Sequence, residues 1–265
     1  MEKNKYLYGE LTWPEVNEVV EQGRVAIVPI GTIEDHGYHL PIEADNIIAN
    51  EVAKRAAEQI PEDVVVLPAV PYGINCHHFD FPGAIDIPGD VFIGFLMGIT
   101  KSLAHHGFRR IILLNAHGSN KHYVGITARR TVLETNALCV ATTPLMLTGS
   151  EAVSKIRKSG PGGISHACEQ ETSMLLHICP ELVQMDKAVK EYSLQESDFY
   201  GIDVGKTKVE FMDWWSRMSE SGVVGDPTVA DAETGKAFLD AAVESLVAFV
   251  REYKHWKIGE RKDHH

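Results

Sequence analysis

Cysteine is scarce in this 265-residue sequence: Cys76, Cys139, Cys168 and Cys179 are the full set, and no two form a CxxC pair. That argues against a disulfide framework or a thiolate zinc site and leaves reduced thiols as the expectation. Long apolar runs are also missing. No stretch approaches the ~20 apolar residues a membrane span needs, and residues 1–24 carry charges rather than an apolar leader. A cytoplasmic protein with no membrane partner is expected. Basic runs are absent too. Twenty-five Lys and Arg stand against 37 Asp and Glu, a formal charge of −12, and no cluster could track a phosphate backbone. Nucleic acid is therefore not an expected partner. There is no internal repeat and no low-complexity tract.

What remains is ordinary globular material, 44% hydrophobic and 23% charged, enough for one large core. A single domain over 1–265 is expected. Strand-like and helix-like segments alternate. The strands are expected at Arg24–Ile30, Val64–Leu67, Arg110–Leu114 and Leu138–Thr143. The helices are expected at Asp45–Gln59, Asp90–His106, Asn120–Asn136, Glu169–Cys179 and Asp231–Tyr253. Such alternation predicts an α/β three-layer sandwich, with a mainly parallel central sheet covered by helices on both faces. Residues 190–230 lack this pattern and read as an irregular excursion that lines a site or an interface.

Charge collects where it is least expected. GTIEDHGYHLPIEAD, residues 31–45, follows the apolar VAIVPI and holds Glu34, Asp35, His36, His39, Glu43 and Asp45. In parallel sheets ligands sit beyond the carboxyl ends of strands. The third strand delivers His117 to the same edge in NAHGSN, and ISHACEQETS adds His166, Glu169 and Glu171. Singly, each has an ordinary reading as a solvated loop acid or a helix cap. Together they offer the carboxylate and imidazole donors that zinc, manganese and iron prefer. They are more than one ion needs. Two ions could share one carboxylate, best Asp45, and activate water between them. Cys168 lies beside these groups without a basic activator, which argues against a cysteine nucleophile.

PIGTIEDHGYHLPIEAD, residues 29–45, resembles the creatininase (creatinine amidohydrolase) family signature P-x-G-S-x-E-Q-H-G-P-H-L-P-x-x-T-D. NAHGSN at 115–120 resembles the family's N-G-H-G-G-N, and HACEQETS at 166–173 its H-A-G-x-x-E-T-S. PYGINCHHFDFPGAI at 71–85 resembles P-Y-G-x-S-x-x-H-x-x-F-P-G-T-I. The four motifs keep the family's order.

The resemblance implies an α/β sandwich that hydrolyses small polar carbonyl compounds with two divalent metal ions (Zn, Mn or Fe) per chain. It implies Glu34, Asp45 and His117 on one ion, and His36, Asp45 and a further acid on the other. Creatininase proper takes that acid from just after the histidine of the second motif. GSN has none, so Glu169 is the expected replacement. His166 matches the general acid/base and Glu171 the acid that orients it. Tyr72, His78 and Trp215 are the expected substrate-binding side chains, with Tyr72 and His78 as hydrogen-bond donors. A homohexamer is implied as well.

Departures bear on substrate. Asp35 replaces the signature Gln, Tyr38 replaces a Pro, and residues 146–165 lack the tryptophans that pack on creatinine. Creatinine itself is therefore not expected. A cyclic amide or related C–N bond is expected, with hydrolytic C–C opening of a cyclic diketo-inositol or a formamide deformylation as alternatives. A non-enzymatic small-molecule binding protein and a two-metal phosphoesterase are the competing classes. The loops are poor in the cations a phosphate clamp needs.

Overall fold

The computed structural model describes residues 5–193, 197, 199, 200 and 208–265. Part of the expected excursion, at 194–196, 198 and 201–207, thus lies outside the described residues.

The order of elements is α1 (Trp13–Glu21), β1 (Val25–Ile30), α2 (Ala44–Gln59), β2 (Val64–Val66), α3 (Gly89–His105) and β3 (Arg110–Asn115). Then come α4 (Lys121–Glu134), β4 (Leu138–Thr142), α5 (Pro144–Thr148), α6 (Ser150–Ile156), α7 (Glu169–Ile178) and α8 (Ala232–Tyr253). The four strands form one parallel sheet in the order β2-β1-β3-β4. Val25 sits opposite Val64, Ala26 opposite Ile111, and Ile111 opposite Cys139. The expected α/β sandwich is what forms.

The two-residue period of a strand explains the layers. Every residue of β1 is buried. Val25 and Ile27 join a core with α2, α7 and α8, whereas Ala26, Val28 and Ile30 join one with α1, α3 and α4. Each fully buried Ile or Val here contributes roughly 1.5–3 kcal/mol of transfer free energy. Because β1 is buried on both faces, its chemistry must wait for its carboxyl end.

β1 and β3 are neighbours, and the helices that follow them, α2 and α4, pack on opposite faces. The chain therefore parts between these two strands, opening the crevice in which α/β sheets hold ligands. Three buried asparagines fix the loops at that edge. Asn46 donates to Thr32 O at 3.0 Å and Pro71 O at 3.2 Å. Asn75 donates to Thr32 Oγ1 at 2.6 Å and Ile33 O at 2.7 Å. Asn120 donates to Gly31 O and Asn115 Oδ1, both at 3.1 Å. Gly31 is required for this closeness, since a Cβ there would lie 2.4 Å from Asn46 Oδ1 and 2.7 Å from its backbone N. That approach seats Asp45, in the first turn of α2, against the end of β1.

Candidate functional site

The loop after β1 brings Glu34, Asp35 and His36, the start of α2 brings Asp45, and the loop after β3 brings His117. All five side chains are buried. His117 Nε2 donates to Ile74 O at 2.9 Å. The proton is thereby fixed on Nε2, because a carbonyl only accepts, and Nδ1 is left facing 3.1 Å to Glu34 Oε2 and 3.3 Å to Asp45 Oδ2. His36 Nε2 lies 3.5 Å from the other oxygen, Asp45 Oδ1.

Four metal-sized triads result, each with ligand atoms within 4.8 Å of one another: Glu34, Asp45 and His117; His36, Asp45 and Glu171; Glu34, His36 and His166; and Asp35, His78 and His166, of which the first two share Asp45. Asp45 offers one oxygen to each of those two. Glu34 Oε2, His36 Nε2 and Asp45 Oδ2 are buried with no hydrogen-bond partner. Buried polar atoms are rarely left so, and several aimed at one spot fit a cation there.

The electrostatics agree. Burial, with Asp45 adding to it, pushes the Glu34 carboxyl up to about 7 against the pull of His117. Burial opposes charge on His36, but Asp45 outweighs it and raises the imidazole to about 10. His117 is likewise raised, with Glu34 and Asp45 overcoming burial. Asp45 is held far below the usual carboxylate range by His117 and His36, despite burial. The protons held on His36 and His117 are those that divalent cations would displace.

Glu169 is not part of this cluster. Its carboxylate is fully buried and accepts from the backbone of Lys158 at 2.6 Å and Ser159 at 2.8 Å, tying α7 to the segment after α6. Glu171, two residues on, is the acid beside His36 and Asp45. On a helix, i and i+2 diverge, so only one of the pair can face the site. Glu171 also accepts from Cys168 N at 3.2 Å as the third residue of α7, capping that helix. From sequence, Glu171 is expected to orient His166, but the polar contacts of the His166 ring are to Asp35 and Glu34.

His166 is oriented by the first loop instead. Its Nε2 donates to Asp35 O at 2.8 Å, and its Nδ1 stands 3.5 Å from Glu34 Oε1. Ala167, at φ 49°, takes the left-handed turn that lets His166 and the start of α7 both reach this edge. Burial, reinforced by nearby His36 and His78, holds the His166 imidazole well below its usual range and so neutral. Burial raises the Cys168 thiol, consistent with no nucleophilic role.

A cavity of about 280 Å³ opens onto these groups, lined by Glu34, Asp45, His117, His166 and Glu171. Of the three side chains expected to bind substrate, His78 and Trp215 line it and Tyr72, 43% exposed, does not. The His78 ring stacks on the Trp215 indole at 4.9 Å and 23°, and the indole N–H donates to Gly222 O at 3.0 Å. Trp215 thus presents ring surface rather than its donor. Tyr200, Phe211 and Met212, from the unpatterned segment, add an apolar wall, and no Lys or Arg lines the cavity among the described residues. Sequence reasoning passed over His77, which lines the cavity and bonds Ser119 Oγ at 2.9 Å. The HH doublet at 77–78 was the available signal. His39 instead bonds Thr172 Oγ1 at 2.8 Å, fastening the first loop to α7.

Comparison with known proteins gives the family. The chain is 27% identical over 261 residues to a creatinine amidohydrolase of Pseudomonas putida, covering 92% of this chain and 95% of that protein. It is 30% identical over 234 residues to a mycofactocin precursor peptide peptidase of Mycolicibacterium smegmatis, covering 87% and 85%. A 3-dehydro-scyllo-inosose hydrolase of Thermotoga maritima is 26% identical, with 91% and 81% covered. Among solved structures, a manganese form of creatininase superposes with a TM-score of 0.81 at 27% identity, covering 94% of this chain and 99% of that one. A zinc–zinc form of a creatininase variant gives 0.80 at 27% identity, covering 94% and 98%. The profile of the creatininase (creatinine amidohydrolase) family matches residues 9–250, and the chain belongs to that family.

Proposed function

We propose that this protein is a hydrolase dependent on a pair of divalent metal ions, acting on a small, polar, cyclic amide or a related C–N bond. The observation that carries the reading is the double use of Asp45. Its two oxygens face opposite triads, and buried atoms of Glu34, His36 and Asp45 itself that make no hydrogen bond, only ion-pair contacts with one another, His117 and His78, converge there. Glu34, Asp45 and His117 would hold one ion and His36, Asp45 and Glu171 the other. Bound there, zinc, manganese or iron would polarise a carbonyl oxygen and lower the pKa of water.

The chain's own groups supply the rest. His166 is neutral, with its proton fixed on Nε2 by Asp35 O, so Nδ1 is the nitrogen free to take a proton from water. That same proton can pass to the leaving nitrogen as the C–N bond breaks. The cavity suits a small molecule, and the Phe211, Met212 and Tyr200 wall suits an apolar portion of it. The Thermotoga relative supports a second reading, in which the proton is delivered to carbon and a cyclic diketone is opened. A panel of cyclic amides, formamides, cyclic diketones and phosphate esters, assayed with and without exhaustive chelation, tests the proposal. Turnover of a C–N substrate that is lost on chelation and restored by zinc or manganese is expected. Full turnover after chelation contradicts it.

A further inference from the structure

Asp35 stands where the family signature has Gln, and its side chain is 9% exposed. One carboxylate oxygen lies 2.6 Å from His78 Nδ1. Its main-chain oxygen accepts from His166 Nε2 at 2.8 Å. The two rings are 5.1 Å apart, and each turns its remaining nitrogen toward Glu34. His78 Nε2 is 3.8 Å from Oε2, and His166 Nδ1 is 3.5 Å from Oε1. Gly222 closes over the carboxylate so tightly that a Cβ there would lie 2.5 Å from Asp35 Oδ2. The Trp215 indole backs the His78 ring.

We propose that Asp35 is a positioning residue that fixes the tautomer of both histidines, and that His78 consequently meets substrate as a hydrogen-bond acceptor. Burial raises the Asp35 carboxyl against the pull of nearby His166 and His36; as a carboxylate 2.6 Å from His78 Nδ1 it can only accept, which places the His78 proton on Nδ1. Its Nε2 then bears a lone pair toward the cavity. The side chain read from sequence as a donor is an acceptor, and the substrate group it recognises is an N–H or O–H rather than a carbonyl. The main-chain carbonyl does the same for His166 with the nitrogens exchanged. A Gln at position 35 could turn either its C=O or its NH₂ to His78 and would not impose this choice. The consequence for substrate rests on the hydrolase reading; the tautomers do not.

The test is long-range ¹H–¹⁵N correlation NMR of ¹⁵N-histidine-labelled, zinc-loaded protein at neutral pH, with the two rings assigned from H78Q and H166Q. The wild type is expected to show His78 as the Nδ1–H form and His166 as the Nε2–H form. In D35A, His78 moves to the Nε2–H form that free side chains favour, while His166 keeps its tautomer and zinc content is unchanged. D35N populates both His78 forms. Three results overturn the proposal: a wild-type His78 protonated on Nε2, a folded D35A with His78 unchanged, or loss of a zinc ion in D35A, which would make Asp35 and His78 ligands. Should D35A fail to fold, the wild-type and D35N spectra decide alone. Because no substrate is turned over, failure here leaves the hydrolase reading to its own chelation test.

Discussion

Replacing Glu169 and Glu171 one at a time separates two acids that the sequence sets two residues apart. E169Q keeps one acceptor for Lys158 N and Ser159 N and turns an NH₂ against the other. It is expected to lower stability by about 1–3 kcal/mol and leave zinc content intact, checked by denaturant titration and elemental analysis. E171Q is expected to lose zinc with a smaller effect on the fold. The reverse pattern would return the ligand role to Glu169. H166A should retain zinc and lose roughly 10²–10⁴ in kcat, because a proton relay and not a ligand is removed. Zinc uptake should release protons and tighten as pH rises through neutrality, since His36 holds its proton up to about 10 and the ion must displace it. Calorimetry in buffers of different protonation enthalpy measures that release. At this scale the sequence carried Glu34, His36, Asp45, His117 and His166, because each stands at a strand end or helix start where direction is predictable. It did not settle Glu169 against Glu171, a question of helix phase, or the pairing of Asp35 with His78 across 43 residues of chain.

Among the elements, α7 and α8 show how close packing frames the site. A Cβ on Gly235 of α8 would fall 1.7 Å from Ser173 O of α7, backbone against backbone. G235A is therefore expected to destabilise by at least the ~1–3 kcal/mol typical of overpacking, and to perturb Glu171 through α7. A melting temperature equal to wild type would contradict the packing. Asp231 caps α8, accepting from Thr234 N at 2.8 Å and pairing with Lys158, so D231A should cost about 0.5–2 kcal/mol. The pair lowers the Asp231 carboxyl to about 2, below its unfolded value of roughly 3.9. Its contribution is then present above about pH 4 and lost as pH falls through about 2, and the gap between wild type and D231A should close over that window. The main strands and long helices were legible because their apolar periods are strong. Helix α1 was not, although Thr12, Pro14 and Glu15 spell a capping box with proline in the first turn, because it buries only Val19. Helices α5 and α6 are two short pieces parted by Gly149 at φ 77°, too brief for a period to register.

Across the whole molecule, the sheet spends its buried strands on bringing charge to one edge, and that arrangement ties stability to metal. Ions that bind the native chain and not the unfolded one stabilise it by about 2.7 kcal/mol at a hundredfold excess over Kd. Zinc should raise the melting temperature, chelation should lower it, and H36A should blunt the response. Parallel topology and the edge that bears the site were readable from alternation alone. The wall contributed by Tyr200, Phe211 and Met212 was not, because it belongs to a segment without periodicity whose place is set by what it packs on. No described helix is long and apolar enough to cross a membrane. The most direct test of the account is anomalous diffraction from crystals of the zinc-loaded protein. Two peaks flanking Asp45 are predicted, one against Glu34 and His117 and the other against His36 and Glu171. A single peak, or density centred on Asp35, His78 and His166 instead, would contradict it.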